Sequence, residues 1–272
     1  MTTWLGDHQG LHWFPGEHTG KESRVIVGST ARDIAVGASG APLLLATDDP
    51  RLGELPQILI GTQNQTTYFA VRVDQNEAAF EFSPLRPVLI GLDAQTFIPV
   101  SAAMQLLDFL DEHRFCGRCG SPTEPSSSDR GRVCRECQLP AYPRVSPCVI
   151  VLITRGDELL LARSPRFVDG MYSTLAGFVE AGESAEHACH REIREEVGVE
   201  ISDLVFQGSQ SWPFKHSLML GYRANWQSGE IAVDGVEIVD AQWFHIDALP
   251  KLPPHASISR GMIDAYLAER AR

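Results

Sequence analysis

The stretch GFVEAGESAEHACHREIREEVGV, at residues 177–199, holds six glutamates in twenty-three positions. Glu192 and Glu196 are four residues apart, so on a helix both side chains project from one face, with Glu195 beside them. Like charges at this spacing repel and weaken a helix by roughly 0.2–0.5 kcal/mol per pair. Clustered carboxylate oxygens are the ligands that Mg²⁺ and Mn²⁺ prefer. The pattern therefore favours a divalent-metal site over the alternative, a charged helix face exposed to solvent.

The same stretch contains the start and end signals of a helix. Ser184 is a typical N-cap residue, and Gly198 stands where a helix commonly ends in a left-handed residue. Ala185 and Ile193 lie on one stripe between these ends and predict the buried face. The preceding GFVEAGE is punctuated by glycine, so it predicts a loop that brings Glu183 toward the helix.

Four of the six cysteines form two Cys-x-x-Cys pairs separated by fourteen residues. Each pair can direct two thiolates toward one ion, and two pairs complete the tetrahedral shell of a structural zinc ribbon. The surrounding segment, 114–140, has too few apolar residues to form a core, so we expect it to need a metal to fold. Disulfides are the alternative, and a reducing compartment disfavours them. The predicted zinc ligands are Cys116, Cys119, Cys134 and Cys137.

Composition limits the classes of protein that remain. The 272 residues are 43% hydrophobic, enough for one large domain or two moderate ones. The net charge of -12 argues against a broad basic surface for nucleic acid, although bound metal ions can still attract a small phosphorylated ligand. No apolar run reaches membrane-spanning length, and MTTWLGDHQG lacks the pattern of a secretory signal. We therefore expect a cytoplasmic protein with no membrane partner.

The cysteine-rich segment divides the chain into three predicted parts. Residues 1–112 combine strand-like runs such as RVIVG and TYFAVRV with a helix, SAAMQLLDFLDEH. Residues 113–140 form the ribbon. Residues 141–272 carry strands such as CVIVLIT and ELLLAR, the acidic helix and a closing helix, ISRGMIDAYLAER. The sequence thus predicts an α+β protein with a smaller mixed N-terminal domain, a central zinc ribbon and a C-terminal mixed sheet covered by helices.

The acidic stretch resembles the signature of a known family. A glycine, five residues, Glu183, seven residues and then REIREEVGV match the Nudix box at all nine defined positions. The chain is similar to Nudix hydrolases, which cleave nucleoside diphosphates linked to another group. The resemblance implies the Nudix fold, with a loop–helix–loop that holds catalytic Mg²⁺ or Mn²⁺. It makes Glu192, Glu195 and Glu196 metal ligands, and it makes Arg191 the residue that orients the Glu183 loop.

Two further metal contacts follow from the same resemblance. Glu237, in DGVEIVDAQW, occupies the place of a metal-contacting glutamate on a later strand or loop. The backbone carbonyl of Ala176 is a further implied ligand. The general base stays open among Glu195, Glu196 and Glu237. Divalent ions at such a site neutralise the pyrophosphate charge and lower the pKa of a coordinated water.

A second array, SQSWPFKHS at residues 209–217, resembles the S-Q-P-W-P-F-P-x-S array of the NADH pyrophosphatase subfamily, whose members share the zinc ribbon. This chain departs from that array at Ser211 and Lys215, where the subfamily has prolines, and it has Ser259 where alanine is usual. Loss of two prolines loosens the loop, which affects substrate affinity more than chemistry. The residues expected to bind substrate are Tyr142, Phe178, Gln210, Ser211, Trp212, Pro213, Phe214, Lys215, His216, Ser217 and Ser259.

Recognition of two nucleotide halves requires flat side chains that stack on the bases. The subfamily uses aromatic residues for this at the positions of Phe178 and Tyr142, and core packing is the alternative for both. For Trp212 the pocket and the core are equally good interpretations.

The resemblance implies a homodimeric enzyme that converts NADH and water to reduced nicotinamide mononucleotide and AMP. Removal of NAD caps from RNA 5′ ends is one alternative, and hydrolysis of ADP-ribose or a dinucleoside polyphosphate is another. A third alternative is a catalytically silent module that binds a nucleotide or a partner. Retention of mutually repelling glutamates argues against a silent site.

Overall fold

A computed structural model of the chain describes residues 21–30 and 32–271. The first twenty residues of the predicted N-terminal domain lie outside these ranges. Within them, no helix is both long enough and apolar enough to cross a membrane. The described residues form two compact units. One unit comprises residues 21–144 and 213–216, and the other comprises residues 145–212 and 217–271.

The first unit contains a six-stranded sheet and two helices. Its strands are β1 (Glu22–Ser29), β2 (Asp33–Val36), β3 (Leu44–Leu45), β4 (Ile58–Gln63), β5 (Thr66–Val73) and β6 (Glu81–Pro84). Its helices are α1 (Leu85–Ile90) and α2 (Ala94–Glu112), and a short 3-10 helix spans Pro50–Leu52. The strands lie in the order β4-β5-β1-β2-β6, with β3 paired to β1.

Helix α2 packs closely on β1 at Gly28. A Cβ atom added there would lie 2.9 Å from the Leu107 side chain and 3.0 Å from that of Met104. The helix starts at Asp93, whose carboxylate accepts a hydrogen bond from the Thr96 amide at 2.9 Å. The absence of a side chain at Gly28 thus lets a well-capped helix cover the sheet.

A small three-stranded sheet between residues 123 and 141 carries the cysteine-rich segment. Its strands are β7 (Thr123–Pro125), β8 (Arg132–Cys134) and β9 (Pro140–Ala141), in that order and antiparallel. Such short strands bury little apolar surface, as the sequence predicts for a segment stabilised by a metal.

The second unit contains a six-stranded mixed sheet with one helix on each face. Its strands are β10 (Ser146–Arg155), β11 (Glu158–Arg163), β12 (Leu175–Phe178), β13 (Glu200–Trp212), β14 (Ser217–Ser228) and β15 (Asp240–His245). Its helices are α3 (Ala185–Val197) and α4 (Ile258–Arg270). The strand order is β13-β14-β10-β11-β15, and β12 also pairs with β10.

The central strand β10 is buried on both faces because its side chains alternate between the two helices. Val149, Val151 and Ile153 belong to the core under α3, whereas Ile150 and Leu152 belong to the core under α4. A two-residue side-chain period produces this division. The predicted α+β class, with a mixed C-terminal sheet between helices, is confirmed.

Candidate active site and metal centres

Arg191 of α3 donates hydrogen bonds to three carboxylates and one carbonyl. Its Nε and Nη2 atoms each lie 2.9 Å from an oxygen of Glu183. Its Nη1 donates to Glu192 at 2.8 Å and to Glu195 at 2.9 Å, and Nη2 donates to the Phe178 carbonyl at 2.8 Å. The adjacent guanidinium lowers the pKa of Glu183 to about 2. Arg191 therefore ties the Glu183 loop and the end of β12 to the acidic helix.

Glu192 lies against the backbone of β12 because residue 177 is glycine. A Cβ atom added at Gly177 would overlap the Glu192 carboxylate. Burial raises the pKa of Glu192, and the hydrogen bond from Arg191 opposes that rise. The glycine of the box thus has a packing role that the spacing of the motif does not reveal.

Glu196 is the most buried carboxylate of the site, with 5% of its surface exposed. Its Oε2 atom is buried and has no hydrogen-bond partner among the described residues. Burial, and then the charges of Glu192, Glu237 and Asp234, raise its pKa to about 8. A buried oxygen to which no described residue donates, and which is affected by the charges of three neighbouring carboxylates, fits a cation ligand. The residues present therefore fit a divalent metal ion.

Asp234 organises the loop that carries Glu237, and sequence analysis does not single it out. Its carboxylate accepts hydrogen bonds from the amides of Val236, Glu237 and Ile238 at 3.3, 2.9 and 2.8 Å. Its own amide donates to the Glu196 carbonyl at 3.2 Å. The loop is therefore fixed to the acidic end of α3. The Asp-Gly pair in VDGVE signals this turn.

The glutamate oxygens do not meet at one point. Among the described residues, only the four cysteines place three or more potential ligand atoms within 4.8 Å of one another. Glu195 is exposed and bonded to Arg191, and Glu237 is exposed on its loop. Ala176, the implied backbone ligand, pairs with Ile150 in the sheet. The fit to a cation thus rests on Glu196 and its charged neighbours.

Several residues of the second array have structural partners. Gln210 is buried, and its amide group donates to the Ala256 carbonyl at 2.7 Å and accepts from the Ile258 amide at 2.8 Å. Ser259 is also buried, and its hydroxyl lies 2.9 Å from the Thr174 hydroxyl. Ser217 is buried at the start of β14. The hydrogen bonds of Gln210 and Ser259 hold neighbouring backbone in place, and the substrate contacts expected of all three residues stay predictions.

The two aromatic residues expected to stack on bases are both exposed. Phe178 exposes 53% of its surface at the end of β12, and Tyr142 exposes 58% directly after the ribbon. A residue that packs in the core would be buried, so the exposure of both rings favours ligand binding over core packing. Trp212 instead packs partly against the core beneath α4.

The middle of the array groups with the first unit. Pro213, Phe214, Lys215 and His216 belong to that unit, whereas Ser211 lies exposed near the end of β13 in the second. Pro213 is buried, Phe214 and His216 are partly buried, and Lys215 is exposed.

The four ribbon thiols form a compact cluster. Their Sγ atoms lie 3.6 Å apart for Cys116 and Cys137, 3.5 Å for Cys119 and Cys134, and 3.7 Å for Cys119 and Cys137. Four sulfurs at about 2.3 Å from a tetrahedral zinc ion stand about 3.8 Å apart. All six cysteines are free thiols, so the disulfide alternative is not formed. The cluster fits a structural zinc ion with a closed shell.

Comparison with known proteins agrees with this architecture. Residues 144–266 match the NUDIX domain family, and residues 111–142 match the family described as NADH pyrophosphatase zinc ribbon domain. A crystal structure of a NUDIX hydrolase from Nitrosomonas europaea superposes with a TM-score of 0.50 at 20% identity, covering 58% of this chain and 92% of that one. That likeness concerns the fold alone.

Two curated relatives match over a larger part of the sequence. NAD-capped RNA hydrolase NudC of Pseudomonas aeruginosa (strain LESB58) is 54% identical over 190 residues, 70% of this chain and 68% of that protein. The protein of the same name from Stutzerimonas stutzeri (strain A1501) is 50% identical over 202 residues, 74% and 73% of the two chains. The chain belongs to the Nudix hydrolase family, in the branch that carries the NADH pyrophosphatase zinc ribbon. The predicted family and enzyme class are confirmed.

Proposed function

We propose that this hydrolase cleaves the pyrophosphate bond of NAD(H), giving NMN(H) and AMP, and removes NAD caps from RNA 5′ ends by the same cleavage. This proposal rests mainly on the buried Oε2 atom of Glu196, which has no hydrogen-bond partner in the described part of the chain. Glu196 belongs to a complete Nudix box and is affected by the charges of Glu192 and Glu237. The names of the relatives and of the ribbon family support the dinucleotide as the substrate class.

Each site residue has a distinct role in the proposal. Glu192 and Glu196 are principal ligands of Mg²⁺ or Mn²⁺, with Glu195, Glu237 and the Ala176 carbonyl as further contacts. A bound divalent ion supplies charge neutralisation and an acidified water. Arg191 keeps Glu183, Glu192 and Glu195 in fixed positions through its hydrogen bonds. The general base is one of Glu195, Glu196 and Glu237.

The substrate contacts belong to the proposal as well. Phe178 and Tyr142 are each proposed to stack on a base of the substrate, because both are exposed aromatic residues. The array from Gln210 to Ser217, together with Ser259, forms the remainder of the binding surface. With a net charge of -12, we expect an RNA substrate to be bound mainly at its capped end, with modest salt dependence.

We also propose that zinc occupies the four-cysteine cluster. A cytoplasmic location is proposed as well, because cysteines that form no disulfide are typical of a reducing compartment. A homodimer follows from the family resemblance, and light scattering of the purified protein tests it. A mass of twice 29.9 kDa supports the dimer, whereas 29.9 kDa contradicts it.

Release of AMP from four substrates tests the proposed function. NADH, NAD⁺, ADP-ribose and NAD-capped RNA are supplied at equal concentration with Mg²⁺ or Mn²⁺. The expected result is preferential cleavage of NADH or the capped RNA. Preferential cleavage of ADP-ribose would indicate that the substrate is another nucleoside diphosphate derivative and not NAD(H). No AMP from any of the four would contradict the proposal and favour a silent binding module.

A further inference from the structure

The loop Pro213–His216 connects two strands of the second unit, yet its contacts group it with the first. The flanking residues, Trp212 and Ser217, form the last register pair of β13 and β14. A four-residue connection between paired strands would ordinarily be stabilised by its own hairpin. Residues 213–216 form a turn, and they are also contacted by residues that lie more than 100 positions earlier in the sequence.

Three side chains of the N-terminal region contact this loop. The guanidinium carbon of Arg86 lies 4.4 Å from the centroid of the Phe214 ring, a cation–π distance. Arg32 donates to the Pro213 carbonyl at 3.4 Å. The Lys215 ammonium lies 3.7 Å from the Glu112 carboxylate. Phe214, Pro213 and Lys215 therefore each contact a charged side chain of the N-terminal region.

Arg32 is itself held by a chain of ion pairs on α2. Its Nη2 lies 2.6 Å from Asp108, which also accepts from Arg72 at 3.0 Å. Arg72 additionally pairs with Asp111 at 2.8 Å and donates to the Ser29 carbonyl at 2.6 Å. The side chains of Asp108 and Arg72 are only 12% and 14% exposed. Because Asp108 is largely shielded from solvent, its pairs are screened less by salt than fully exposed ones, and Arg32, itself 33% exposed, has an acidic partner next to the loop.

The loop also lies beside α2. Lys215 and His216 line one small pocket together with Gln105, Asp108, Phe109 and Glu112 of that helix.

We propose that Arg32, Arg86 and Glu112 are positioning residues that restrain the Pro213–His216 loop for substrate recognition. Proline fixes φ and lowers the entropy of a free loop, and this chain has Lys215 where the related array has proline. The polar and cation–π contacts replace that restraint. The N-terminal region thereby sets substrate affinity. The inference rests on the proposed function, because it concerns the same substrate site.

Arg86→Ala tests the cation–π contact. An exposed cation–π pair contributes about 0.5–1 kcal/mol, so KM for NADH should rise about two- to fivefold with kcat within twofold. Arg86→Lys should restore most of the affinity because it keeps a cation. Arg135→Ala, which removes an exposed ribbon arginine paired with Glu124, is the control and should change neither constant.

A double-mutant cycle separates positioning from direct substrate contact. If Arg86 acts through Phe214, Arg86→Ala should change KM no further in a Phe214→Leu background. An equal rise in both backgrounds would overturn the proposal, since Arg86 would then bind substrate directly. A fall in kcat without a change in KM would overturn it too. Absence of wild-type turnover would contradict the proposed function instead.

Glu112→Gln provides an independent test at the other end of the loop. Exposed ion pairs contribute about 0.2–1 kcal/mol, so KM should rise by up to about fivefold at low salt and by less at high salt. The effect should vanish in a Lys215→Pro background, where the loop has its proline and no ammonium. Equal effects of Glu112→Gln in both backgrounds would overturn the role assigned to the ion pair.

Discussion

Gly177 leaves room for the carboxylate of Glu192, another residue of the box. The backbone of β12 approaches the Glu192 carboxylate so closely that no Cβ atom fits between them. The spacing of the motif predicts a glycine there, but its physical reason needs the position of a side chain fifteen residues later. Backbone contacts of this kind cannot be read from a single sequence.

Gly177→Ala should weaken both metal binding and stability. Overpacking typically costs about 1–3 kcal/mol, which corresponds to a melting temperature about 3–10 °C lower for a chain of this size. Displacement of Glu192 should lower the affinity for Mn²⁺ about tenfold in a calorimetric titration, the usual cost of disturbing a group that orients a metal ligand. Gly91→Ala is the matched control. A Cβ atom added there would lie 3.6 Å from its nearest neighbour, the Val88 carbonyl oxygen, which is an ordinary van der Waals distance. Unchanged Mn²⁺ affinity in Gly177→Ala would contradict the packing account.

Glu196 predicts a pH dependence with a definite sign. Its folded-state pKa is raised from 4.5 to about 8, so between these values the folded protein binds a proton that the unfolded chain has lost. Stability without added Mg²⁺ or Mn²⁺ should therefore fall from pH 5 to pH 8, by at most about 1.4 kcal/mol per pH unit. Added Mn²⁺ should remove this decline, since the metal stabilises the charged form.

Melting temperatures of wild type and Glu196→Gln across this range measure the effect. In Glu196→Gln, the melting temperature should no longer show the part of the fall from pH 5 to pH 8 that the Glu196 carboxyl causes. Glu186→Gln, on the same helix, should show the same fall as wild type. Glu186 lies outside the defined positions of the box and accepts a hydrogen bond from Tyr222 at 3.3 Å. Equal slopes in wild type and Glu196→Gln would contradict the assignment.

At the scale of elements, local signals predict the boundaries of α3 well. Ser184 caps the helix by accepting from the His187 amide at 3.2 Å, and Gly198 ends it at φ 74°. Helix α2 is less well predicted. The predicted segment, SAAMQLLDFLDEH, starts at Ser101, but the helix begins seven residues earlier, at Ala94, and contains Pro99. Packing on β1 overrides the proline there. The short β2, β6 and α1 were not predicted, because so few residues give no clear period.

We propose that the ribbon depends on bound zinc for its stability. We expect elemental analysis to find one zinc ion per chain. The Cys134→Ser variant should lose this ion, and its melting temperature should be lower than that of wild type. Cys189→Ala is the control, because Cys189 lies in the core under α3 and should leave zinc content unchanged. A wild-type protein without zinc, or a Cys134→Ser variant that retains it, would contradict the structural role.

At the scale of the whole molecule, the sequence predicts the three-part order of the chain from the change of pattern at the cysteines. The proposed boundaries near residues 112 and 140 stay predictions. The sequence does not predict that residues 213–216 group with the N-terminal region. The same region contains contacts between Arg86 and Phe214 and between Glu112 and Lys215, which are distant in sequence. Neither contact leaves a pattern in one sequence.

We propose that Glu196, the buried carboxylate of the Nudix helix, supports metal-dependent hydrolysis of NAD(H) together with Glu192. The most direct test compares AMP release from NADH and Mg²⁺ by wild type, Glu196→Gln and Glu186→Gln. Loss of a preorganised electrostatic group should lower kcat on the order of 100- to 1,000-fold in Glu196→Gln, with Glu186→Gln within twofold of wild type. A Glu196→Gln variant that hydrolyses NADH at the wild-type rate would contradict the account.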